Sequence, residues 1–259
     1  MSRNATKDLT TGSPMKLILG FGIPLLFGML FQQFYNMMDT IIVGKFLGVS
    51  ALASVGATGS INFMIIGFCM GVCNGFAIPV AQRFGAKDEH GMRKFVANSV
   101  WLSIIFAVVM AVLVCVFCRQ ILELMNTPED IIDGSYSYIF VIFLGIPATY
   151  MYNLLSGIMR SLGDSKTPLY LLIFSSILNI VMDLWMVAGL GLGVFGAALA
   201  TLIAQGISAV FSLLIFFHRM RRYKSHFDWF DRQELLSMFQ IAVPSVLQQS
   251  TVSIGMMIV

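Results

Sequence analysis

The sequence predicts an all-α integral membrane protein: a polytopic six-helix lobe plus a truncated seventh transmembrane helix. Three observations carry this expectation. The 259 residues are 58% hydrophobic and only 11% charged, against roughly 25% charged in soluble domains, and the mean hydropathy is +0.85. The charges are gathered into short segments, leaving uncharged runs long enough for membrane helices, which need roughly 20 mostly apolar residues each. Lys and Arg then alternate from one connection to the next, as the positive-inside rule requires. The runs are continuously apolar and do not alternate every second residue, so they read as helices and not as barrel strands.

The spans follow in order. Residues 17–38 lie between Lys16 and Asp39, and residues 46–82 between Lys45 and Arg83. Residues 95–118 follow Lys94, and 134–159 follow Asp133. From 167 to 218 the only Asp, Glu, Lys or Arg is Asp183. That run is too long for one span and breaks at "GLGLG", Gly189 to Gly193, into spans 5 and 6. The last run, 235–259, follows Glu234 and ends inside apolar sequence, which is expected of a fragment or a shortened gene product. Its "IAVPSVL" is similar to "GFGIPLL" in span 1, with Pro244 set against Pro24. Six spans separate the two, which is the spacing of a repeat related by an axis along the membrane normal. The organisation expected is therefore a six-helix lobe over 1–234 and the incomplete first helix of a second lobe over 235–259.

The N-terminal tail, the 83–94 loop, the 160–166 loop and the 219–232 segment hold 3, 4, 2 and 5 of the Lys and Arg. The remaining connections hold only Lys45 and Arg119, so the N-terminus is expected to be cytoplasmic. The polar first 14 residues do not read as a signal peptide, and the "NAT" at Asn4 reads as a chance sequon on a cytoplasmic tail. A net charge of +3 spread over several loops predicts no nucleic-acid partner. The basic segment from Arg219 reads as an inside anchor beside the lipid surface.

Only two acids sit within spans, Asp39 in span 1 and Asp183 in span 5. Carboxylates there are costly, by at least ~2.5 kcal/mol on insertion scales, and such groups usually face the bundle interior and carry function. Asn179 stands four residues before Asp183, on the same helical face. At 1.5 Å per residue, Asp183 lies roughly 8 Å below the outer end of span 5 and Thr201 roughly 10 Å down span 6. Asp39 has a similar depth in span 1. Three helices thus offer oxygen atoms at one level in the outer half of the membrane. That is how a site for H⁺ or Na⁺ is built. Packing between helices is the plainer account of Asn179, and Thr201 alone carries no signal. Pro24 removes a backbone hydrogen bond from span 1 fifteen residues before Asp39 and marks a helix kink; Pro147 does the same in span 4.

Other signals are set aside. Cys69 and Cys73, and Cys115 and Cys118, lie inside apolar helices without His or carboxylate nearby, and read as small packing residues. "GLGVFG" (191–196) follows no strand and does not read as a nucleotide loop. Gly67, Gly71 and Gly75 form consecutive GxxxG units that let span 2 approach another helix closely. No nucleophile–base constellation is present; His90, His218 and His226 lie in or beside loops. Neither an enzyme nor a cofactor is expected.

Several stretches in order resemble the multidrug and toxic compound extrusion (MATE) family. These are "GIPLLFGMLFQQFYNMMDTIIVGKFLG" (22–48), "VAQRFGAKD" (80–88), "MRSLGDSKTPL" (159–169), and "NIVMDLWMV" followed by "GVFGAALAT" (193–201). The resemblance implies one half of a twelve-helix, two-lobe transporter. It implies a multidrug efflux antiporter, a xenobiotic transporter that exports amphipathic or cationic small molecules across a bacterial plasma membrane in exchange for H⁺ or Na⁺. The cation site it implies matches Asp39, Asn179, Asp183 and Thr201, and its missing partner is the second lobe of the same protein. The alternative is a lipid-linked oligosaccharide flippase of related plan, which needs several Arg or Lys in its cavity. A non-transporting structural or receptor protein is a further rival, which would show no ion-dependent stabilisation.

Overall fold

The computed structural model describes residues 12–221, together with 236, 240, 242–249, 251 and 255. The described residues are helical, with no strand among them. The helices are α1 (Pro14–Leu47), α2 (Val49–Gly85), α3 (Glu89–Val116), α4 (Cys118–Leu124), α5 (Ile132–Leu144), α6 (Ile146–Ser161), α7 (Lys166–Asp183) and α8 (Gly193–Met220), with a π-helical turn, Leu184–Gly189, closing α7. Five helices are long and apolar enough to cross a membrane, and α5 with α6 completes a sixth span, bent by 46° between them. The chain is an all-α, multi-pass membrane protein.

The breaks fall where backbone chemistry asks for them. Span 4 divides at Gly145, with Pro147 in the first turn of α6, where its missing N–H costs nothing. Pro24, by contrast, sits inside an unbroken α1. Span 3 ends earlier than the charge gaps imply: α3 stops at Val116 and α4 follows as a separate short helix. The break between spans 5 and 6 lies at the expected glycines, where Gly191 and Gly193 take φ of 65° and 63°. The π-turn before it, marked by Leu190 N donating to Trp185 O at 2.9 Å, had no sequence signal.

Three inner or outer helix ends close with a residue in the left-handed conformation: Lys87 (φ 59°), Asn126 (φ 52°) and Gly163 (φ 79°). In each, the following N–H reaches back to a carbonyl five residues earlier, from Asp88 to Arg83, Thr127 to Leu122 and Asp164 to Met159, so orphan carbonyls are satisfied. The next helices are capped from the same loops. Asp88 Oδ1 accepts from Gly91 N at 2.9 Å while Oδ2 pairs with Arg83 at 2.8 Å. Asp164 Oδ1 accepts from Lys166 N and Thr167 N at 3.1 Å each, and its other oxygen pairs with Arg219 at the end of α8. The "GAKD" and "LGDSKTP" loops are thus built to turn the chain at the membrane face.

Inside, the core is aliphatic, with Cys69, Cys73 and Cys118 among its packed residues. Small residues set the closest crossings. Ser135 Oγ donates to Ser54 O at 2.9 Å, and Ser161 Oγ donates to Ala77 O at 2.8 Å. The GxxxG face of α2 meets the helical residues 242–249: a Cβ on Gly75 would stand 2.6 Å from Ala242 Cα, and one on Gly71 3.1 Å from Val246 Cα. Most of the expected seventh span, 235–259, and of the basic segment 219–234 lies outside the described residues. Within α2 to α8, Lys and Arg occur only near helix ends, Arg160 in the last turn of α6 among them.

Two outcomes follow. The Asp88 carboxyl is held below the usual carboxylate range by the Gly91 N–H it accepts, and by Arg83. A carboxylate lowered on folding stabilises above its unfolded pKa of about 3.9 and loses that contribution as pH falls through the lower folded value. Asp88→Ala is expected to cost about 1 kcal/mol near neutral pH. The gap from wild type should close in acid, and thermal unfolding in detergent across pH measures it. Gly75→Ala is expected to cost about 1–3 kcal/mol because backbone must yield. Gly85→Ala, whose Cβ meets open space, should be near neutral in the same melts.

Candidate functional site

The polar groups of α1, α7 and α8 converge where the three helices pack. Asp183 is the last residue of α7 and Asn179 lies one turn before it; they are 0% and 1% exposed. The Asn179 amide, oriented so that its NH₂ donates to Asp183 Oδ2 at 2.8 Å, accepts on its oxygen from Thr201 Oγ1 and Thr201 N at 3.2 Å each. Thr201 Oγ1 in turn lies 3.3 Å from the Tyr35 hydroxyl of α1. With the threonine proton given to Asn179, Tyr35 is the donor to Thr201. Asp39, one turn beyond Tyr35, lies within hydrogen-bonding reach of Asp183. The chain of contacts therefore runs Tyr35, Thr201, Asn179, Asp183, Asp39 across three helices.

The electrostatics of this cluster are one-sided. Asp39 is half-buried and Asp183 fully buried, and Oδ1 of each has no hydrogen-bond partner. Among the described residues, the groups in electrostatic range of the pair are the two phenols Tyr35 and Tyr138. No Lys or Arg contributes. Facing carboxylates in an apolar interior need a positive charge between them, because burying an unpaired ion costs several kcal/mol. The oxygens of Asp39, Asp183 and Thr201 are hard donors suited to a proton or a small alkali cation.

All four residues expected at the site are thus brought together. The fifth sequence mark, Pro24, lies fifteen residues along α1 from Asp39 and is not part of the cluster. Tyr35 and Tyr138 were missed. Tyr35 had a usable signal, standing four residues before Asp39 and so on the same face of span 1. Tyr138 sits in an apolar stretch of α5 and acquires its place only through tertiary packing. The π-turn starting at Leu184 was also missed. It lets Leu192 N reach Met186 O at 3.1 Å and swings the chain from α7 into α8 directly behind Asp183; such turns recur at functional sites.

The MatE family model matches residues 24–185. Among curated relatives, the probable multidrug resistance protein YoeA of Bacillus subtilis is 31% identical over 246 residues, 91% of this chain and 53% of its own length. A solved structure of MATE in the straight conformation superposes with a TM-score of 0.88 at 28% identity, over 99% of this chain and 57% of that one. A structure of MATE in the bent conformation gives 0.86 at 30% identity, over 95% and 55%. The chain spans about half the length of the curated relatives it matches.

Thr201→Val removes the hydroxyl that joins Tyr35 to Asn179, leaving the buried amide oxygen short of one donor. It is expected to cost about 1–3 kcal/mol. Tyr35→Phe leaves the Thr201–Asn179 bond in place and should cost less. Paired thermal unfolding of the two variants checks the order.

Proposed function

The chain belongs to the MatE family, and on that premise we propose that it is the N-terminal lobe of a cation-coupled multidrug antiporter. The lobe supplies the coupling site, formed by Asp39, Asn179, Asp183 and Thr201, with H⁺ or Na⁺ as the coupling ion. The substrates are amphipathic or cationic drug-like molecules. The protein works in the plasma membrane with its N-terminus cytoplasmic, together with a second lobe that completes the substrate cavity. Residues 1–234 form the first lobe and 235–259 begin the second.

One observation carries this reading: two carboxyl groups from different spans face each other with no basic partner in reach among the described residues. Such a pair has a favourable state only when a cation is present. The packing of α1 supports the link to movement. Its buried residues are Ile42 and Val43, both near the outer end, while Ile18, Leu26, Met29 and Phe34 are exposed along the rest. A helix with so few buried residues, tied to α7 and α8 by this cluster, shifts when the pair gains or loses its cation. The exposed side of α1 also carries Gln33 and Asn36, hydrogen-bonded at 3.4 Å. Amides exposed at membrane depth suit a wet cavity and not lipid tails. In this reading the cation binds from outside, α1 moves on the lobe, and the lobes rock about the cavity in alternating access while drug leaves.

Asp39→Asn and Asp183→Asn are each expected to lower ion-coupled efflux at least about tenfold, equivalent to about 1.4 kcal/mol. Transport by the complete two-lobe protein in proteoliposomes, driven by a pH or Na⁺ gradient, is the measurement. Undiminished efflux in both variants would remove the assignment. Which gradient drives wild-type efflux identifies the ion.

A further inference from the structure

Below the carboxyl pair, α8 carries a stripe of polar residues that the coupling site does not use. Thr201, Gln205, Ser208 and Ser212 recur at intervals of four, three and four residues, which places them on one face. They span roughly 17 Å along the helix. The face is turned inward. Ser208 and Ser212 are both 0% exposed. Thr201 meets Asn179 and Tyr35, and Ala204 O accepts from Ser175 Oγ of α7 at 3.5 Å. Seven residues further, Arg219 on the same face pairs with Asp164 and donates to Thr167 Oγ1 at 2.8 Å, at the cytoplasmic end of the lobe.

Beyond Thr201 the polar atoms of this stripe are unsatisfied. Ser208 Oγ, Ser212 Oγ and Gln205 Oε1 have no hydrogen-bond partner among the described residues. Other serines of the bundle solve the same problem by bonding a carbonyl four residues back, as Ser99 does to Phe95 at 2.6 Å and Ser176 to Leu172 at 2.8 Å. Ser208 and Ser212 do not. A buried polar atom left alone costs about 1–3 kcal/mol, and three in a row along one face are the kind of group from which ordered internal water takes its hydrogen bonds.

We propose that the inner half of the lobe holds a file of buried waters along Gln205, Ser208 and Ser212. The file connects the Asp39–Asp183 pair with the cytoplasmic end at Arg219 and conducts protons released there. This rests on the carboxyl pair being the coupling site, and goes further by naming the proton and its exit. A proton leaving Asp183 is accepted by the nearest water. Each water or serine hydroxyl then accepts one proton and passes on another, so no residue of the stripe changes its own charge. Between the pair at one end and Arg160, Asp164, Lys166, His218 and Arg219 at the other, α5, α6, α7 and α8 have no Asp, Glu, Lys, Arg or His except Asp133 at the outer start of α5. The tyrosines of that region, Tyr138, Tyr150 and Tyr152, lie on α5 and α6.

The test uses the complete transporter in inside-out vesicles, with Cys69, Cys73, Cys115 and Cys118 replaced by alanine. Ser208→Cys and Ser212→Cys should be inhibited by Ag⁺ added from the cytoplasmic side, because Ag⁺ reaches thiols through water. Val210→Cys, on the outward face of α8, should be unaffected. Unreactive cysteines at 208 and 212 overturn the proposal. Ser208→Val with Ser212→Val, which dries the stripe, should slow proton-driven transport about tenfold, about 1.4 kcal/mol in barrier, with equilibrium drug binding unchanged. An unchanged rate also overturns it. If Asp39→Asn abolishes coupling while the serine variants have no effect, the file alone falls. If Asp39→Asn has no effect either, the coupling site beneath it falls too.

Discussion

Within a membrane, every polar group must find its partner inside the protein, and the facing carboxyl groups of Asp39 and Asp183 are where that constraint is tightest. Asp183 takes the Asn179 amide, Asn179 takes the Thr201 hydroxyl, and Thr201 takes Tyr35. Two of these bonds fix a helix relative to its neighbour: α7 to α8 through Asn179 and Thr201, and α8 to α1 through Thr201 and Tyr35. At the opposite membrane face α7 and α8 are joined again, by Thr167, Asp164 and Arg219. Two antiparallel helices pinned at both ends have one register, and that register presents Asp183 to α1.

The rest of the lobe forms a frame around this pinned pair. Helix α2 is buried along most of its length, and its serine and glycine contacts tie it to α5 and α6. Helix α1 stands apart, with long exposed apolar stretches and few buried residues. Interior packing is too dense to deform gradually, so movement concentrates in the element that packs least. The polar anchor of α1 is the very cluster where the proposed cation would bind. Rigidity in α2 to α8 and looseness in α1 are therefore two halves of one arrangement.

Much of this was legible in the sequence. Uncharged runs located every described span, because the cost of charge in lipid is written into the chain, although α1 continues past Asp39 to Leu47 and α3 begins at Glu89, before the run that follows Lys94. Asp39, Asn179 and Asp183 stood out for the same reason. Depth counted at 1.5 Å per residue brought Thr201 to their level, although a threonine by itself signals nothing. What stayed hidden depends on packing and not on composition. Tyr138 is an aromatic in an apolar helix until α5 is placed beside α1 and α7. The π-turn at Leu184–Gly189 needs only one extra residue in a turn, which no hydropathy pattern records. The division of span 4 was half visible: Pro147 announced a defect, but its size, 46°, depends on how Gly145 fits beneath Leu202.

Serine shows how the same residue takes opposite meanings here. Ser135 and Ser161 stand at helix crossings, where a neighbouring carbonyl lies within 2.9 Å, and they act as interhelical glue. Ser99 and Ser176 return to their own helix. Ser208 and Ser212 have neither resource, though they are the most deeply buried class of residue in α8. Asn98 on α3 also has no partner among the described residues, but it does not continue the stripe that begins at Thr201. If packing were the only demand on positions 208 and 212, alanine would meet it without an orphan hydroxyl, as it does at 197, 200 and 204 on the same helix. Inward of the carboxyl cluster, buried Ser208 and Ser212 stand among buried Ala204 and Ala209. Hydroxyls left without partners have no use in a dry bundle, and a direct one under the proposed reading, in which the lobe returns what its carboxyl groups take up.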